Sequence, residues 1–243
     1  MNSPDNSTAG LLECAPDPQR YENPNRDPDE VALKIASYVP RGSRVLDVGC
    51  GTGCNSEIVA LDCGAALIGI EPDADRAAEA QKRGLNVIHA YLTEHFFEEH
   101  GTFDVILFVD VLEHLANPGA VLKMVRPGLT PNGRIIVSVP NVAHWSVRWQ
   151  LLRGNFNYEE FGIMDATHLR WFTRYSLTKL FERTGYEVVT TDSTLGLQLV
   201  CYTSKRPFRW MTPALRRKIA RYMARHIPGM FACQHIFVVT VKR

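Results

Sequence analysis

The 243-residue sequence lacks several features that would place it in a special class of protein. It has no apolar run long enough to cross a membrane, and its start, MNSPDNSTAG, lacks the basic and then apolar layout of a signal peptide. Its six cysteines include no CxxC pair, which argues against a structural zinc site. We therefore expect a cytoplasmic globular protein with reduced thiols and no transmembrane segment.

The formal net charge of +1 conceals a difference between the two halves of the chain. Residues 1–120 carry 8 Lys or Arg against 20 Asp or Glu, whereas residues 121–243 carry 19 against 6. A basic half can attract an anionic partner, such as a phosphorylated small molecule, a nucleic acid or a membrane surface. Alternatively, the two halves can neutralise each other across a shared surface. Five of these 19 basic residues lie in a predicted amphipathic helix over residues 213–226, whose basic face we expect to be a solvated outer face.

The alternation of short apolar runs with helical patterns indicates the fold class. Five strand-like runs alternate with predicted helices through residue 140, and two more, YEVVTTDST and HIFVVTVKR, come later. Nearly uninterrupted apolar runs such as FDVILFVD are typical of strands buried on both faces of a parallel sheet. The pattern predicts an α/β protein with a doubly wound, Rossmann-like, mostly parallel sheet of seven strands.

Two stretches do not follow this alternation. Residues 1–28 are rich in Pro, Asn and Asp without an apolar period, which predicts a flexible N-terminal arm. Residues 141–172 are aromatic, polar and irregular, and they are too long for an idle connection. We expect them to form a lid or substrate-binding insertion after the fifth strand, within a single domain over residues 29–243.

The segment RVLDVGCGTGCN places three glycines two residues apart directly after the first predicted strand. The spacing of Gly49, Gly51 and Gly53 does not match the GxGxxG turn of dinucleotide-binding proteins, and no Gly-Lys-Ser/Thr follows as in a P-loop. Asp47 precedes the turn, and Glu71 ends the next predicted strand. Bare backbone admits a flat ligand, while the two carboxylates can accept from an ammonium group and a ribose diol. A cationic ligand with a ribose and an amino-acid tail fits better than a pyrophosphate.

Three segments together resemble the class I S-adenosylmethionine-dependent methyltransferases. They are VLDVGCGTG, IGIEPDADRAAEA and FDVILFVDVLEHLANPGAVLKMVRPGLTPNGRIIVSVPN, and the similarity covers about residues 40–140. The resemblance implies that S-adenosylmethionine is the cofactor. The residues implied around it are Asp47, Gly49, Cys50, Gly51, Gly53, Glu71, Tyr91, Leu92, Val109, Asp110, Tyr21 and Arg26.

The resemblance also implies what these residues do. The glycine turn would line the methionyl part of the cofactor, Glu71 would hold the ribose hydroxyls, and Val109 and Asp110 would lie beside the sulfonium. The family usually has an Asp after its third strand that contacts the adenine. This sequence has Tyr91 there instead, so the adenine contact would come from Tyr91 or from the Leu92 backbone.

The segment DVLEHL follows the fourth predicted strand and carries Asp110, Glu113 and His114. Methyl transfer mainly requires orientation, and it needs a base only when the acceptor must lose a proton. If a helix begins here, the carboxylates and the imidazole can hold a divalent ion. We favour the alternative, in which Glu113 and His114 cap and position the helix, and we predict no metal ligand.

The segment FGIMDATHLRWFTRYSLTKLFERTGYEV resembles the corresponding part of bacterial methyltransferases of surface-polysaccharide and secondary-metabolite pathways. His168 near the carboxylate of Asp165 can act as a general base. Alternatively, this pair pins the insertion to the sheet while Thr173 caps the next helix. The candidate catalytic residues are therefore His168, Asp165 and His114.

Aromatic residues crowd the insertion, where they can stack on an acceptor ring or form the core of the lid. They are His144, Trp145, Trp149, Phe156, Tyr158 and Phe161. Together with the cofactor motifs, they predict methyl transfer to an O or N atom of a small molecule, such as a sugar, nucleotide sugar or natural-product intermediate. That acceptor can be anionic, because the C-terminal half is basic.

Two alternatives stay open, an RNA methyltransferase and a non-catalytic S-adenosylmethionine-binding protein. The RNA alternative rests on the basic C-terminal half, but the sequence has no separate RNA-binding module or base-stacking motif. We therefore disfavour RNA as a partner and expect no DNA partner. The non-catalytic alternative rests on the departure from the family at Tyr91, and the intact glycine turn and Glu71 argue against it.

Overall fold

The computed structural model describes residues 26–204 and 208–243. Within these ranges seven strands form one sheet, and they are β1 (Arg44–Val48), β2 (Ala66–Glu71), β3 (Asn86–His89), β4 (Phe103–Val109), β5 (Leu129–Pro140), β6 (Tyr186–Ser193) and β7 (Gln234–Val241). Their order across the sheet is β3-β2-β1-β4-β5-β7-β6. Only β7 is antiparallel to its neighbours, β5 and β6. The predicted seven-stranded, mostly parallel α/β fold is confirmed.

Ten α-helices connect or flank the strands in the described part of the chain. They are α1 (Val31–Tyr38), α2 (Cys54–Cys63), α3 (Ala74–Lys82), α4 (Phe96–His100), α5 (Pro118–Met124), α6 (Trp145–Leu152), α7 (Arg174–Thr184), α8 (Val200–Thr203), α9 (Pro213–His226) and α10 (Pro228–Phe231). None of these helices combines the length and the apolar content that crossing a bilayer requires.

The strand order positions the site. From β1 the chain moves outward through β2 and β3, and it then returns to the other side of β1 to form β4. In open α/β sheets, ligands bind where the strand order reverses, in the crevice beyond the carboxyl ends of the strands. The ends of β1 and β4 therefore define the place where a ligand site is expected.

The core has a layer on each face of the sheet, because alternate residues of a strand point to opposite faces. Leu46, Phe108 and Val137 pack on one face, together with side chains from α5 and α7. Val45 and Leu107 pack on the other face, with side chains from α1 and α2. Each of these five side chains is buried, which explains why the central strands read as nearly continuous apolar runs.

The insertion over residues 141–172 contains a helix that the sequence does not predict. Helix α6 begins after His144, whose imidazole accepts a hydrogen bond from the Ser146 amide. Of the residues in this helix, only Val147 is buried. A helix that buries one side chain has no apolar stripe at helical spacing, so the periodicity of the sequence does not reveal it.

The N-terminal arm predicted over residues 1–28 lies mostly outside the described residues. Where the described chain begins, Asp27 and Asp29 bind the guanidinium groups of Arg217 and Arg221 in α9. The hydrogen bond from Arg217 lowers the pKa of the Asp27 carboxyl, so this carboxyl stays ionised and its charge balances that of the guanidinium. These pairs support the interpretation that acidic and basic halves neutralise each other across a shared surface.

We expect Asp29→Asn to lower the free energy of unfolding by about 1 kcal/mol, because Asp29 is the buried acceptor for two guanidinium groups that are themselves partly exposed. Urea denaturation at low and high salt measures the change. Asp62→Asn is the matched control, since Asp62 forms an exposed pair with Arg26 and its loss should cost less than about 0.5 kcal/mol. Equal destabilisation by the two variants would contradict the assigned role of Asp29.

Candidate functional site

The glycine turn connects β1 to α2 at the carboxyl edge of the sheet. Gly49, Gly51 and Gly53 have φ angles of 69°, 57° and 80°, which lie in the left-handed region that side chains disfavour. A Cβ built on Gly51 would have no heavy atom within 4 Å. The backbone at Gly51 therefore faces open space, as a turn that lies against a ligand should.

Glu71 ends β2 and holds this turn. Its Oε2 accepts a hydrogen bond of 2.8 Å from the Gly51 amide, and its Oε1 accepts one of 3.0 Å from the Asp73 amide. The carboxylate is buried. Two backbone donors from different segments thus orient the carboxylate at the edge of the crevice.

Asp47 lies in β1 under the turn and is almost fully buried. Its Oδ2 accepts a hydrogen bond of 2.5 Å from the Ser56 hydroxyl, while its Oδ1 has no hydrogen-bond partner within the described ranges. The pKa of this carboxyl is raised to about 7, mainly by burial, and the nearby charge of Glu71 contributes in the same direction. A buried carboxylate oxygen without a donor is a site that a cationic ligand can satisfy.

The turn is packed tightly from behind. A Cβ on Gly69 of β2 would come within 2.7 Å of the Cys50 Sγ, and one on Gly49 would come within 2.9 Å of the Val111 Cγ2. Burial also raises the pKa of the Cys50 thiol, so it stays protonated and is not a nucleophile. Cys50 therefore shapes the turn by packing.

Asp110 directly follows β4 and has an unusual backbone conformation. Its φ is 56°, the only positive value among the described residues other than glycine. Gln234 of β7 donates from Nε2 to both carboxylate oxygens at 2.8 Å, and the Ser138 hydroxyl of β5 donates to Oδ1 at 2.9 Å. Two other strands thus hold Asp110 at the point where β4 reaches the crevice.

A second polar cluster lies three residues beyond Asp110. Glu113, His114 and His168 each offer an atom that can ligate a metal, and these atoms all lie within 4.8 Å of one another. The segment over 112–114 is a short 3₁₀ turn, and the next helix, α5, begins at Pro118 with Asn117 as its cap. The expectation that Glu113 and His114 cap a helix is therefore wrong.

The insertion contacts this turn through its backbone. The amides of Leu169 and Arg170 both donate to the Glu113 carbonyl at 2.9 Å, and this contact brings His168 beside Glu113. Asp165 serves the same segment, because its Oδ1 accepts from the Thr167 amide at 2.9 Å and from the Thr167 hydroxyl at 2.6 Å. The carboxylate that shares the cluster with His168 is thus that of Glu113.

Of the remaining residues predicted from the sequence, some lie at the carboxyl edge of the sheet and others lie away from it. Tyr91 follows β3 at the carboxyl edge and is 78% exposed, while Leu92 packs against the core. Arg26 pairs with Asp62 at the far end of α2, so the structure does not bring it to the turn. Tyr21 lies outside the described residues. Thr173 caps α7 through a reciprocal bond with Ser176, which confirms its predicted capping role.

The aromatic residues of the insertion divide into two groups. Trp145 packs against Tyr202, whose hydroxyl accepts from the indole N–H at 3.2 Å, and this group forms a small core. Phe156 packs edge to face against Tyr158 and Trp171, and Tyr158 meets Trp171 at a tilt. Phe156 and Tyr158 nevertheless stay about half exposed. The second group offers aromatic faces to a ligand.

Comparisons with known proteins place the chain in a family. Residues 20–191 match the family profile described as a methyltransferase domain. The chain belongs to the class I S-adenosylmethionine-dependent methyltransferases.

Protein relatives include a "Ubiquinone biosynthesis O-methyltransferase" of Bradyrhizobium diazoefficiens, 31% identical over 162 residues that cover 59% of this chain and 61% of the relative. Another of the same name, from Agrobacterium fabrum, is 35% identical over 139 residues, or 49% of this chain and 53% of the relative. The matched segments thus span just over half to three-fifths of these relatives.

Solved structures agree with the methyltransferase fold. An S-adenosylmethionine-dependent methyltransferase from Archaeoglobus fulgidus is similar with a TM-score of 0.56 and 18% identity, over 87% of this chain and 92% of that one. A Thermotoga maritima methyltransferase described as a possible histamine N-methyltransferase gives a TM-score of 0.55 and 19% identity, over 86% of each chain. At such low identity, these likenesses concern the fold alone.

The cofactor of this methyltransferase family is S-adenosylmethionine, and the residues present fit it. The buried Asp47 Oδ1 without a donor suits the ammonium of the methionyl tail, and the fixed Glu71 carboxylate suits the ribose diol. The exposed backbone at Gly51 leaves room for the body of the ligand.

Three residues that support this methyltransferase site are absent from the sequence-based prediction. Ser56 bonds Asp47, and Ser138 and Gln234 bond Asp110. The sequence offers a hint of the role of Ser138, since it is the single polar residue in the buried run IIVSV. It offers no hint of the role of Gln234, because this residue comes from the last strand, 124 residues after Asp110.

We expect Glu71→Ala to weaken S-adenosylmethionine binding by at least about tenfold, because it removes the diol acceptor and also releases the Gly51 amide. Isothermal titration calorimetry measures the affinity. Glu79→Ala is the control, since Glu79 lies on α3 in a pair with Lys82 and its loss should leave the affinity unchanged. Unchanged affinity in Glu71→Ala would contradict the ribose assignment.

We expect Asp47→Asn to stabilise the ligand-free protein and to weaken cofactor binding. A carboxyl whose pKa rises from 3.8 to about 7 on folding contributes most to stability below pH 3.8, and this contribution is lost as the pH rises through 7. Removing the charge should therefore raise the free energy of unfolding by roughly 1–3 kcal/mol at pH 8, and by less at pH 5. Urea denaturation at both values tests this, and a variant less stable than the wild type at pH 8 would refute it.

Proposed function

We propose that the protein transfers a methyl group from S-adenosylmethionine to a hydroxyl oxygen of a small organic molecule. The observation that carries this proposal is the cluster of Glu113, His114 and His168. The first two follow the end of β4 by only a few residues, and the insertion supplies His168. The protein relatives are named O-methyltransferases, which supports the same reaction class.

The chemistry explains why such a cluster favours oxygen over nitrogen as the acceptor atom. In the transfer, the acceptor oxygen forms a bond to the methyl carbon, and the sulfur–carbon bond breaks with its electron pair left on sulfur. The hydroxyl must also lose its proton, whereas a neutral amine can attack first and lose its proton afterwards. Imidazole groups at the transfer point can take that proton, and His168 is our candidate for this step.

The exposed aromatic group suggests what kind of molecule carries the hydroxyl. Phe156 and Tyr158 lie on the insertion that also supplies His168, and they present open ring faces. Such faces bind flat rings or the apolar face of a sugar. The proposed acceptor is therefore a ring-bearing hydroxyl compound, such as a phenol, a catechol or a sugar.

The basic helix α9 gives less support to an RNA substrate than the sequence implies. Two of its arginines, Arg217 and Arg221, are bound to Asp27 and Asp29 of the same chain. These guanidinium groups are held in place by internal partners, so fewer cations on this helix are available to phosphates. A small-molecule acceptor accounts for the site better.

We expect His168→Gln to lower turnover by roughly 10²-fold or more, while the affinity for S-adenosylmethionine changes little, because a general base acts on the acceptor and not on the cofactor. Formation of S-adenosylhomocysteine with a panel of phenols, catechols and sugars measures turnover. His235→Gln is the control, since His235 is also buried but lies in β7 outside the cluster. Turnover equal to that of the wild type would remove His168 from the reaction.

The same assay separates the two substrate classes. With a small acceptor, the rate should change little between about 50 and about 300 mM salt, a range over which phosphate-dependent binding falls by orders of magnitude. Methylation of total RNA that falls steeply with salt, together with no methylation of the panel, would overturn the proposal.

A further inference from the structure

We propose that Glu113, His114 and His168 bind a divalent first-row transition-metal ion through one carboxylate oxygen and two imidazole nitrogens. Donor atoms that each lie about 2.1 Å from one ion are at most about 4.2 Å apart. The three candidate donor atoms already lie within 4.8 Å of one another, although they come from the turn after β4 and from the insertion. Three donors around one ion are typically about 3.0–3.4 Å apart, so these atoms would draw together by up to roughly 1.5 Å to complete the site.

The state of the Glu113 side chain is the second observation that points to a ligand. This residue is only 1% exposed, and neither of its carboxylate oxygens has a hydrogen-bond partner in the described part of the chain. A buried carboxylate without donors is unfavourable unless it becomes neutral or meets a cation. An ion between Glu113 and the two histidines would supply that positive charge.

A backbone carbonyl lies beside the Nδ1 atom of each histidine ring. The Nδ1 of His114 lies 3.2 Å from the Thr167 carbonyl, and the Nδ1 of His168 lies 3.2 Å from the Ile163 carbonyl. A carbonyl oxygen can only accept, so Nδ1 is the protonated nitrogen in both neutral rings. This tautomer places the lone pair on Nε2, and the backbone bond fixes the ring, as in the outer shells of known metal sites.

The donor set indicates the class of ion. Two imidazoles and one carboxylate suit Zn²⁺, Co²⁺, Mn²⁺ and Fe²⁺, whereas Mg²⁺ and Ca²⁺ prefer sites built of oxygen atoms. Asp110 is not a member, because Gln234 and Ser138 already bind its carboxylate. The site thus differs from the Asp110, Glu113 and His114 set that the sequence suggests, since His168 replaces Asp110.

Such an ion would have coordination positions open to other ligands, because three protein donors do not fill its shell. If the proposed O-methylation is correct, on which this step rests, an acceptor hydroxyl can occupy one of these positions. A bound divalent ion favours loss of the hydroxyl proton. With the ion bound, His168 would hold the ion instead of taking the proton itself, and the hydroxyl proton would pass to solvent water.

The test uses the full-length protein stripped of metal with a chelator. We expect one Zn²⁺ per chain with a micromolar or tighter dissociation constant, measured by competition with a chromophoric chelator, and visible absorption bands on addition of Co²⁺. Mg²⁺ at millimolar concentration should displace neither ion. Failure of the wild-type protein to bind Zn²⁺ or Co²⁺ at a ratio near one would overturn the proposal.

Matched variants localise the ion. Glu113→Gln keeps the size of the side chain, and it should weaken Zn²⁺ binding by roughly 100-fold or more while leaving the metal-free protein at least as thermally stable as the wild type. His168→Gln should weaken binding similarly, and His235→Gln should not. Wild-type affinity in Glu113→Gln would place the ion elsewhere and refute the site.

The metal inference and the proposed function can fail separately. Methylation of the phenol and catechol panel that survives complete chelation, in a protein that binds no Zn²⁺, refutes the ion and leaves O-methylation intact. Stoichiometric Zn²⁺ binding that Glu113→Gln abolishes supports the ion even when no compound of the panel is methylated.

Discussion

The hydrogen bond from the Gly51 amide to the Glu71 carboxylate joins the ends of β1 and β2, and the geometry of the candidate cofactor site depends on it. It can form only because the turn after β1 uses left-handed backbone at its glycines and because Gly69 lets the Cys50 side chain pass close to β2. The parallel register of the two strands brings their carboxyl ends to the same edge. Local conformation, sheet pairing and ligand geometry are thus set by the same few residues.

Most of this first half of the site could be predicted from the sequence. The spacing of the glycines, the acidic residue before them and the acidic end of the next strand are local features, and parallel strands align their ends. The fold followed from the same reasoning, because strands buried on both faces must be apolar throughout. Helix α6 was not predicted because only one of its side chains, Val147, is buried. Its sequence therefore shows no apolar residues at helical spacing.

The second half of the site depends on contacts between distant segments, which no local pattern encodes. Glu113 meets His168 because two backbone amides of the insertion bond to the Glu113 carbonyl. Gln234 meets Asp110 because β7 inserts between β5 and β6 as an antiparallel strand. The sequence supplied the candidates Asp165 and His168, but only the fold shows that the Asp165 Oδ1 orders the Thr167 turn and that Glu113 is the carboxylate in the cluster.

The distribution of unsatisfied groups connects the two halves. In the described part of the chain, the buried side-chain oxygens without a hydrogen-bond partner belong to Asp47 and Glu113, on either side of the β1–β4 crevice. Burial is the main reason that the pKa of each carboxyl is raised, so each weakens the folded state when ionised. Elsewhere carboxylates such as Asp29 and Asp192 are paired with cations. Within the described ranges, the two carboxylates in this crevice therefore have no cation beside them, unlike the paired carboxylates at the surface. A positively charged ligand would stabilise them. A sulfonium cofactor with an ammonium tail would supply such a charge near Asp47, and a divalent ion would supply it near Glu113.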